Sequence, residues 1–147
     1  MGLMYTKILV PLDLNEGSFA DKAVVAARDL AQQFNAELFL LTVVPGFEMP
    51  LVATYFPEQA HQAMMTDARE AVEAEAETVL KGSGVTYHCL VKEGKPVEAI
   101  QTEARRLGVD LVVMASHKRR RLERVALGAV TNKVVAQSDV PVLVIKP

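Results

Sequence analysis

Two short segments carry the side chains best suited to binding a ligand. Asp13 directly follows the apolar run Lys7-Ile-Leu-Val-Pro-Leu, and a carboxylate at the end of a strand could accept hydrogen bonds from a ribose hydroxyl or an adenine amino group. The segment from Ala115 to Ala129 carries a local charge of +4 in a chain of net charge −2. Its cations are Lys118, Arg119, Arg120, Arg121 and Arg124, against the one anion Glu123. Because this segment joins a predicted strand to a predicted helix, it is placed to bind an anion such as a phosphate.

Each segment also has a simpler interpretation. Asp13 could serve as a turn former or helix cap ahead of Ser18. The basic segment could be a solvated loop with no dedicated ligand, or could contact an acidic protein or another polyanion. No aromatic side chains interleave the arginines to stack bases, which argues against nucleic acid.

No pattern typical of a catalytic or metal site occurs in the sequence. The three histidines, His61, His88 and His117, are scattered and form no metal-ligand spacing, and Cys89 lies within a predicted strand. The sequence has neither a Gly-x-Ser-x-Gly elbow nor a Walker loop. We therefore expect a protein that is not an enzyme, with no catalytic residues and no metal.

The composition indicates one domain, residues 1–147, with a sizeable core, since half of its 147 residues are hydrophobic. A single cysteine allows no internal disulfide and favours a reducing compartment, so we expect a cytoplasmic protein. The sequence shows neither a signal peptide nor a run of apolar residues that could cross a bilayer, so no membrane insertion is expected.

Strands and helices alternate along the predicted chain, which favours an α/β fold with an open, doubly wound, mainly parallel sheet. The predicted strands are 7–12, 37–44, 85–92, 111–115 and 140–145. The predicted helices are 18–34, 58–81, 94–107 and 128–137, and 45–57 is a long irregular loop. If the first and fourth strands are neighbours, Asp13 and the loop from Ala115 meet at the switch point of the sheet, beside Val43 at the end of the second strand.

Six segments together resemble the universal stress protein family across essentially the whole chain. They are Ile8-Leu-Val-Pro-Leu-Asp, the βα segment through Phe34, Leu41-Thr-Val-Val, Val91-Lys-Glu-Gly-Lys-Pro, Asp110-Leu-Val-Val-Met-Ala-Ser-His and Ser138-Asp-Val-Pro-Val-Leu-Val-Ile. The resemblance implies a five-stranded parallel sheet with helices on both faces, of the adenine nucleotide alpha hydrolase-like type. It also implies a stress-response role.

The resemblance also supplies a pattern for the phosphate loop. Members that bind ATP have Gly, two residues, Gly, nine residues, then Gly followed by Ser or Thr. In this chain Ala115 and Lys118 stand at the first two glycines, Gly128 matches the third, and Ala129 stands at the hydroxyl residue. Asp13 and Val43 stand where the family holds the base, flanked by Pro11 and Leu12. The resulting candidate nucleotide-binding residues are Pro11, Leu12, Asp13, Val43, Ala115, Ser116, His117, Lys118, Arg119, Gly128, Ala129 and Val130.

Two functions follow from this pattern. The favoured one is a stress-response regulator that binds an adenine nucleotide such as ATP, or another anion, through an altered phosphate loop, with no cofactor required. The alternative is a stress or adaptor protein that binds no nucleotide and whose basic loop contacts an unknown protein partner or a polyanion.

The C-terminal strand, Val140 to Ile145, suggests how the protein assembles. If it lies at the edge of the sheet, its unpaired amides could pair with a second copy across a two-fold axis. The family commonly dimerises in this way, so we expect a homodimer. The alternative is a monomer whose edge is protected by Pro141 and Lys146.

Overall fold

The fold is an α/β sandwich around one parallel sheet. The computed structural model describes residues 4–13, 18–44, 58–116 and 129–146. In chain order its elements are β1 (Lys7–Pro11), α1 (Ser18–Phe34), β2 (Glu37–Val44), α2 (Glu58–Leu80), β3 (Tyr87–Glu93), α3 (Pro96–Leu107), β4 (Leu111–Ala115), α4 (Ala129–Gln137) and β5 (Val142–Ile145). The strand order is β3-β2-β1-β4-β5, and every neighbouring pair is parallel. The predicted doubly wound sheet is therefore confirmed, whereas the predicted loop 45–57 lies outside the described residues.

Alternation along the strands creates two apolar layers, one on each face of the sheet. Ile8 and Val10 of β1 pack with α1 and α2 on one face, in a cluster that includes Val24 and Val72. Leu9 packs on the opposite face, in the cluster that contains Ile100 of α3 and Val134 of α4. Since successive side chains of a strand point to opposite faces, nearly continuous apolar strands bury both sides, as a parallel sheet with helices on both faces requires.

The residue types next to α1 and α3 explain where these helices begin and end. Asn35, which directly follows α1, has φ of 55°, and Gly108, which follows α3, has φ of 68°. Asparagine and glycine tolerate this left-handed region better than other residues, so each ends its helix by turning the chain back toward the sheet. Pro96 opens α3, where its missing N–H costs nothing.

The starts of two strands were predicted two residues too early. β3 begins at Tyr87 rather than Val85, because the amide of Val85 still donates to the Ser83 hydroxyl oxygen in the preceding turn. β5 begins at Val142 rather than Val140, because Val140 closes a turn on the Ser138 side chain. The first strand ends at Pro11, one residue before the predicted end.

None of the helices in the described ranges combines the length and the apolar character that crossing a bilayer demands.

Candidate functional site

The carboxyl ends of β1 and β4 lie side by side, which meets the condition for a switch point next to Asp13. β1 pairs with β2 on one side and with β4 on the other. The helix that follows β1 packs on one face of the sheet, and α4 packs on the opposite face. In doubly wound sheets such a divergence leaves a crevice beyond the ends of the two strands, and ligands bind there. We call this place, beyond the ends of β1 and β4, the crevice.

The end of β1 is held on one flank by two hydrogen bonds from β2. The Leu12 amide donates to the Leu41 carbonyl oxygen at 2.7 Å. The Thr42 hydroxyl donates to the Leu12 carbonyl oxygen at 3.1 Å, and Thr42 is only 4% exposed. Both backbone groups of Leu12 are therefore engaged, so the position of the next residue, Asp13, is restricted. Asp13 itself is exposed at the mouth of the crevice.

The end of β4 is held in a similar way. The Ser116 amide donates to the Ile145 carbonyl oxygen of β5 at 3.0 Å. The Thr131 hydroxyl, in the first turn of α4, donates to the Ala115 carbonyl oxygen at 3.3 Å. Thr131 and Ser116 are 4% and 3% exposed. The first turn of α4 is thereby joined to the strand end, where helix amides and the positive end of the helix dipole favour an anion.

The structure brings most of the predicted site residues to this one end of the sheet. Within the described residues these are Pro11, Leu12, Asp13, Val43, Ala115, Ser116, Ala129 and Val130. Val43 is half-buried against the apolar layer under α3 and α4, whereas Ala129 and Val130 are exposed. The other predicted residues, His117, Lys118, Arg119 and Gly128, lie outside the described residues, as do the remaining cations of the basic segment.

Sequence reasoning missed the two buried threonines. Thr42 interrupts the apolar run of β2, ELFLLTVV, and Thr131 lies on the buried side of a short helix. A buried hydroxyl needs a hydrogen-bond partner, so a polar residue inside an apolar run is the signal that could have found Thr42.

The described histidines contact glutamate side chains on strands of the sheet, not Asp13. His61 of α2 lies 2.6 Å from Glu93 at the end of β3, and His88 of β3 lies 2.6 Å from Glu37 at the start of β2. Across the ranges that the structure describes, no group of three or more His, Cys, Asp and Glu side chains could hold a metal ion. These pairs link neighbouring elements, and the candidate binding groups in the described residues are Asp13, the end of β4 and the first turn of α4.

The chain matches known proteins over nearly its whole length. A sequence profile described as the universal stress protein family matches residues 4–146. Universal stress protein MJ0531 of Methanocaldococcus jannaschii is 30% identical over 97% of this chain and 83% of its own length. Among solved structures, the universal stress protein UspA from Lactobacillus plantarum is 28% identical with a TM-score of 0.78, covering 96% of this chain and 97% of its own.

Two more distant solved structures contain adenine nucleotides and share the fold. One is a universal stress protein in complex with cAMP, 23% identical with a TM-score of 0.62, covering 97% of this chain and 98% of its own. The other is the universal stress protein from Archaeoglobus fulgidus in complex with dAMP, 17% identical with a TM-score of 0.61, covering 98% of this chain and 100% of its own. The profile match over residues 4–146 is decisive, and the chain belongs to the universal stress protein family.

Proposed function

We propose that this protein binds an adenine nucleotide in the crevice beyond β1 and β4. The observation that carries the proposal is that β1 and β4 are neighbours, with exposed Asp13 following the end of β1 and the first turn of α4 bonded to the end of β4. A buried threonine fixes each of these strand ends. Asp13 would accept hydrogen bonds from the ribose or the base, and the helix amides would face the phosphate. Both elements belong to the switch point at which doubly wound sheets bind ligands.

Two relatives with bound nucleotides support the choice of ligand. The cAMP and dAMP complexes both contain adenine and a single phosphate group. In the present chain Ala115 and Lys118 stand at two glycine positions of the family loop, so the cations of the segment would hold the phosphate. This proposal needs no metal and no further cofactor.

The role we infer is that of a regulator in the stress response, in the cytoplasm, which responds to nucleotide binding without catalysing a reaction. The family supports the stress-response role. The chain's single cysteine favours a reducing compartment. Purified protein would then leave bound ATP intact, and hydrolysis above background by the wild type, abolished in Asp13→Asn, would contradict this part of the proposal.

Calorimetric titration tests nucleotide binding directly. ATP, ADP, AMP and cAMP are each titrated near physiological salt, with GTP as the control for the base. We expect saturable binding of at least one adenine nucleotide and weaker binding of GTP, because the adenine amino group can donate to Asp13 where guanine has a carbonyl oxygen. Absence of binding by all four adenine nucleotides at millimolar concentration would refute the proposal.

The charge of +4 between Ala115 and Ala129 supports a second candidate, an adaptor that contacts an acidic protein or polyanion without nucleotide. Charge reversal at Arg119, Arg120 and Arg121 distinguishes the adaptor function from the nucleotide-binding function. Under the adaptor function, the variant loses retention on an immobilised polyanion such as heparin, while wild-type protein shows no heat of nucleotide binding.

We also propose that the protein forms a homodimer through β5, which lies at an edge of the sheet. Pro141 and Ile145 direct their carbonyl oxygens toward β4, so Val142 and Val144 direct their backbone groups outward. An outward row of amides and carbonyls is a template for a second strand. Sedimentation velocity should show a dimer for the wild type and a folded monomer for Val144→Pro, since proline removes one outward amide. A monomeric wild type at micromolar concentration would refute the dimer.

A further inference from the structure

The strand β3 forms one edge of the sheet, opposite the edge formed by β5. The Leu38 amide donates to the Thr86 carbonyl oxygen at 2.9 Å, and the Gly94 amide donates to the Val44 carbonyl oxygen at 2.9 Å. Even-numbered residues of β3 therefore direct their backbone groups toward β2, and odd-numbered residues direct theirs away from the sheet, because these directions alternate along a strand. The residues with outward backbone groups are Tyr87, Cys89, Val91 and Glu93.

The outward groups of β3 form a longer edge than those of β5, since β3 has seven residues and β5 has four. A long edge of outward amides and carbonyls is a template for a strand of another chain. The side chains of β3 point to the two faces of the sheet, where Lys92 contacts Glu103 and His88 contacts Glu37. The strand's own side chains therefore do not cover its outward backbone groups.

An arginine from the neighbouring helix reaches this edge. Nη1 of Arg69, an exposed residue of α2, donates to the outward Cys89 carbonyl oxygen at 3.4 Å. Within the ranges that the structure describes, this is the one hydrogen bond from a side chain to an outward backbone group of β3. Burial raises the pKa of the Cys89 thiol, the Glu73 carboxylate raises it further and the Arg69 guanidinium lowers it. Both charges of α2 therefore act at this point of the strand.

The position of Arg69 opposes the approach of another strand. A partner strand would lie about 4.8 Å from β3 and would donate one of its own amides to the Cys89 carbonyl oxygen. Arg69 already bonds to that oxygen, so pairing would displace its guanidinium from the carbonyl. Charged side chains at sheet edges prevent edge-to-edge pairing in this way.

We propose that Arg69 keeps the β3 edge closed to a second copy of this chain. Without Arg69, β3 pairs with the β3 of another copy across a two-fold axis. A chain with both edges open would add copies at either edge and form open-ended assemblies, so Arg69 restricts self-association to the β5 edge. The proposal does not depend on the dimer proposed through β5, because it concerns the opposite edge of the sheet.

Sedimentation velocity of the full chain carrying Arg69→Ala tests the proposal, under reducing conditions so that Cys89 forms no disulfide. The wild type at the same concentration is the reference, whether it is a monomer or a dimer. At hundreds of micromolar we expect Arg69→Ala to reach about twice the wild-type mass or more, since opening an edge adds at least one copy. Arg69→Lys keeps a positive charge beside the edge and should sediment as the wild type does. An Arg69→Ala variant with the wild-type mass at every concentration would overturn the proposal.

Arg28→Ala is the matched control for the loss of an arginine. Arg28 Nη1 donates to the Val79 carbonyl oxygen at 3.3 Å, so this variant also loses an arginine–carbonyl hydrogen bond, but one between α1 and α2 and not at a strand edge. It should keep the wild-type mass. Association of Arg28→Ala to the same extent as Arg69→Ala would mean that lost stability, and not an opened edge, causes the association, and this would overturn the proposal.

Amide hydrogen exchange locates the new contact. In the wild type the outward amides of Cys89 and Val91 should exchange faster than those of Leu90 and Lys92, which face β2. In associated Arg69→Ala the Cys89 and Val91 amides should become as slow as their neighbours. Association without this gain of protection would show that the copies meet elsewhere, and the β3 edge would lose the role proposed for it.

Discussion

The Thr131 hydroxyl donates a hydrogen bond of 3.3 Å to the Ala115 carbonyl oxygen, which joins the first turn of α4 to the last residue of β4. Thr42 makes the corresponding bond of 3.1 Å to Leu12 at the end of β1. Two buried hydroxyls therefore fix the two strand ends that border the crevice. The site is positioned by side chains that lie beneath it, so its geometry can be perturbed without altering any residue that would touch a ligand.

Replacement of Thr131 by valine should destabilise the fold and weaken nucleotide binding. The change keeps the size of the side chain but leaves the Ala115 carbonyl oxygen without this donor, which costs about 1–3 kcal/mol in a buried setting. Urea denaturation measures the free energy of unfolding, and calorimetry measures the affinity. Thr131→Ser, which restores a hydroxyl, should recover most of both.

Thr78→Val is the matched control for this change. Thr78 donates to the Ala74 carbonyl oxygen at 2.9 Å on the exposed side of α2, where water can replace the lost hydroxyl. We expect a smaller loss of stability in this variant and an unchanged nucleotide affinity. Equal effects of the two valine substitutions would argue against a special role for the Thr131 bond.

Replacement of Asp13 by asparagine should weaken nucleotide binding. A hydrogen bond to a charged group contributes about 1.5–3 kcal/mol, which corresponds to a loss of roughly 10- to 150-fold in affinity. Calorimetry with the tightest-binding adenine nucleotide measures this loss. Asp67→Asn, at an exposed position of α2, serves as the charge control and should bind as the wild type does. An Asp13→Asn variant of unchanged affinity would remove Asp13 from the site.

Most of the architecture could be predicted because the strands are short apolar runs between turn-forming residues. The predicted helix ends at residues 34 and 107 are confirmed, and Asn35 and Gly108 follow them with positive φ. Strand starts were less predictable, because Val85 and Val140 have strand-like side chains but are held in turns by Ser83 and Ser138.

The sequence predicted residues of the candidate site but not the buried hydrogen bonds that hold them in place. Asp13 and Ala115 were identified because chain position places Asp13 just beyond the end of β1 and Ala115 at the end of β4. The hydrogen bonds of Thr42 and Thr131 depend on which elements become neighbours in space, which periodicity does not show. The predictions for His117, Lys118, Arg119 and Gly128 concern residues outside the described ranges and stay predictions.

Glu103 is a buried charged residue, which the helical pattern of apolar residues does not predict. It lies on α3 next to the apolar stripe, yet it is 5% exposed. Arg106 bonds its carboxylate at 2.6 Å, and Lys92 of β3 lies 3.5 Å from its other oxygen. Two cations from different elements compensate the burial of this carboxylate, so a charged residue is tolerated at a position where an apolar one would be expected.

Replacement of Glu103 by glutamine should therefore lower the free energy of unfolding by about 1–3 kcal/mol, since it leaves two cations beside a neutral group. Urea denaturation checks this, with Glu77→Gln as the control. Glu77 forms an exposed pair with Lys81 at 3.7 Å, and such pairs contribute at most about 1 kcal/mol. If Glu103→Gln is no less stable than Glu77→Gln, the buried cluster does not stabilise the fold.

Cys89 offers a test of the electrostatics around β3. Burial raises the pKa of its thiol above the ordinary value of 9.0, the Glu73 carboxylate raises the pKa further, and the Arg69 guanidinium lowers it. Since the thiolate is the reactive form, alkylation by iodoacetamide should have a pH midpoint above 9.0 in the folded protein. The midpoint should fall in Glu73→Gln and rise in Arg69→Gln. Glu70→Gln, an exposed glutamate on the same helix, should leave it in place. A midpoint below 9.0, or an equal shift in Glu70→Gln, would mean that burial and Glu73 do not control this thiol.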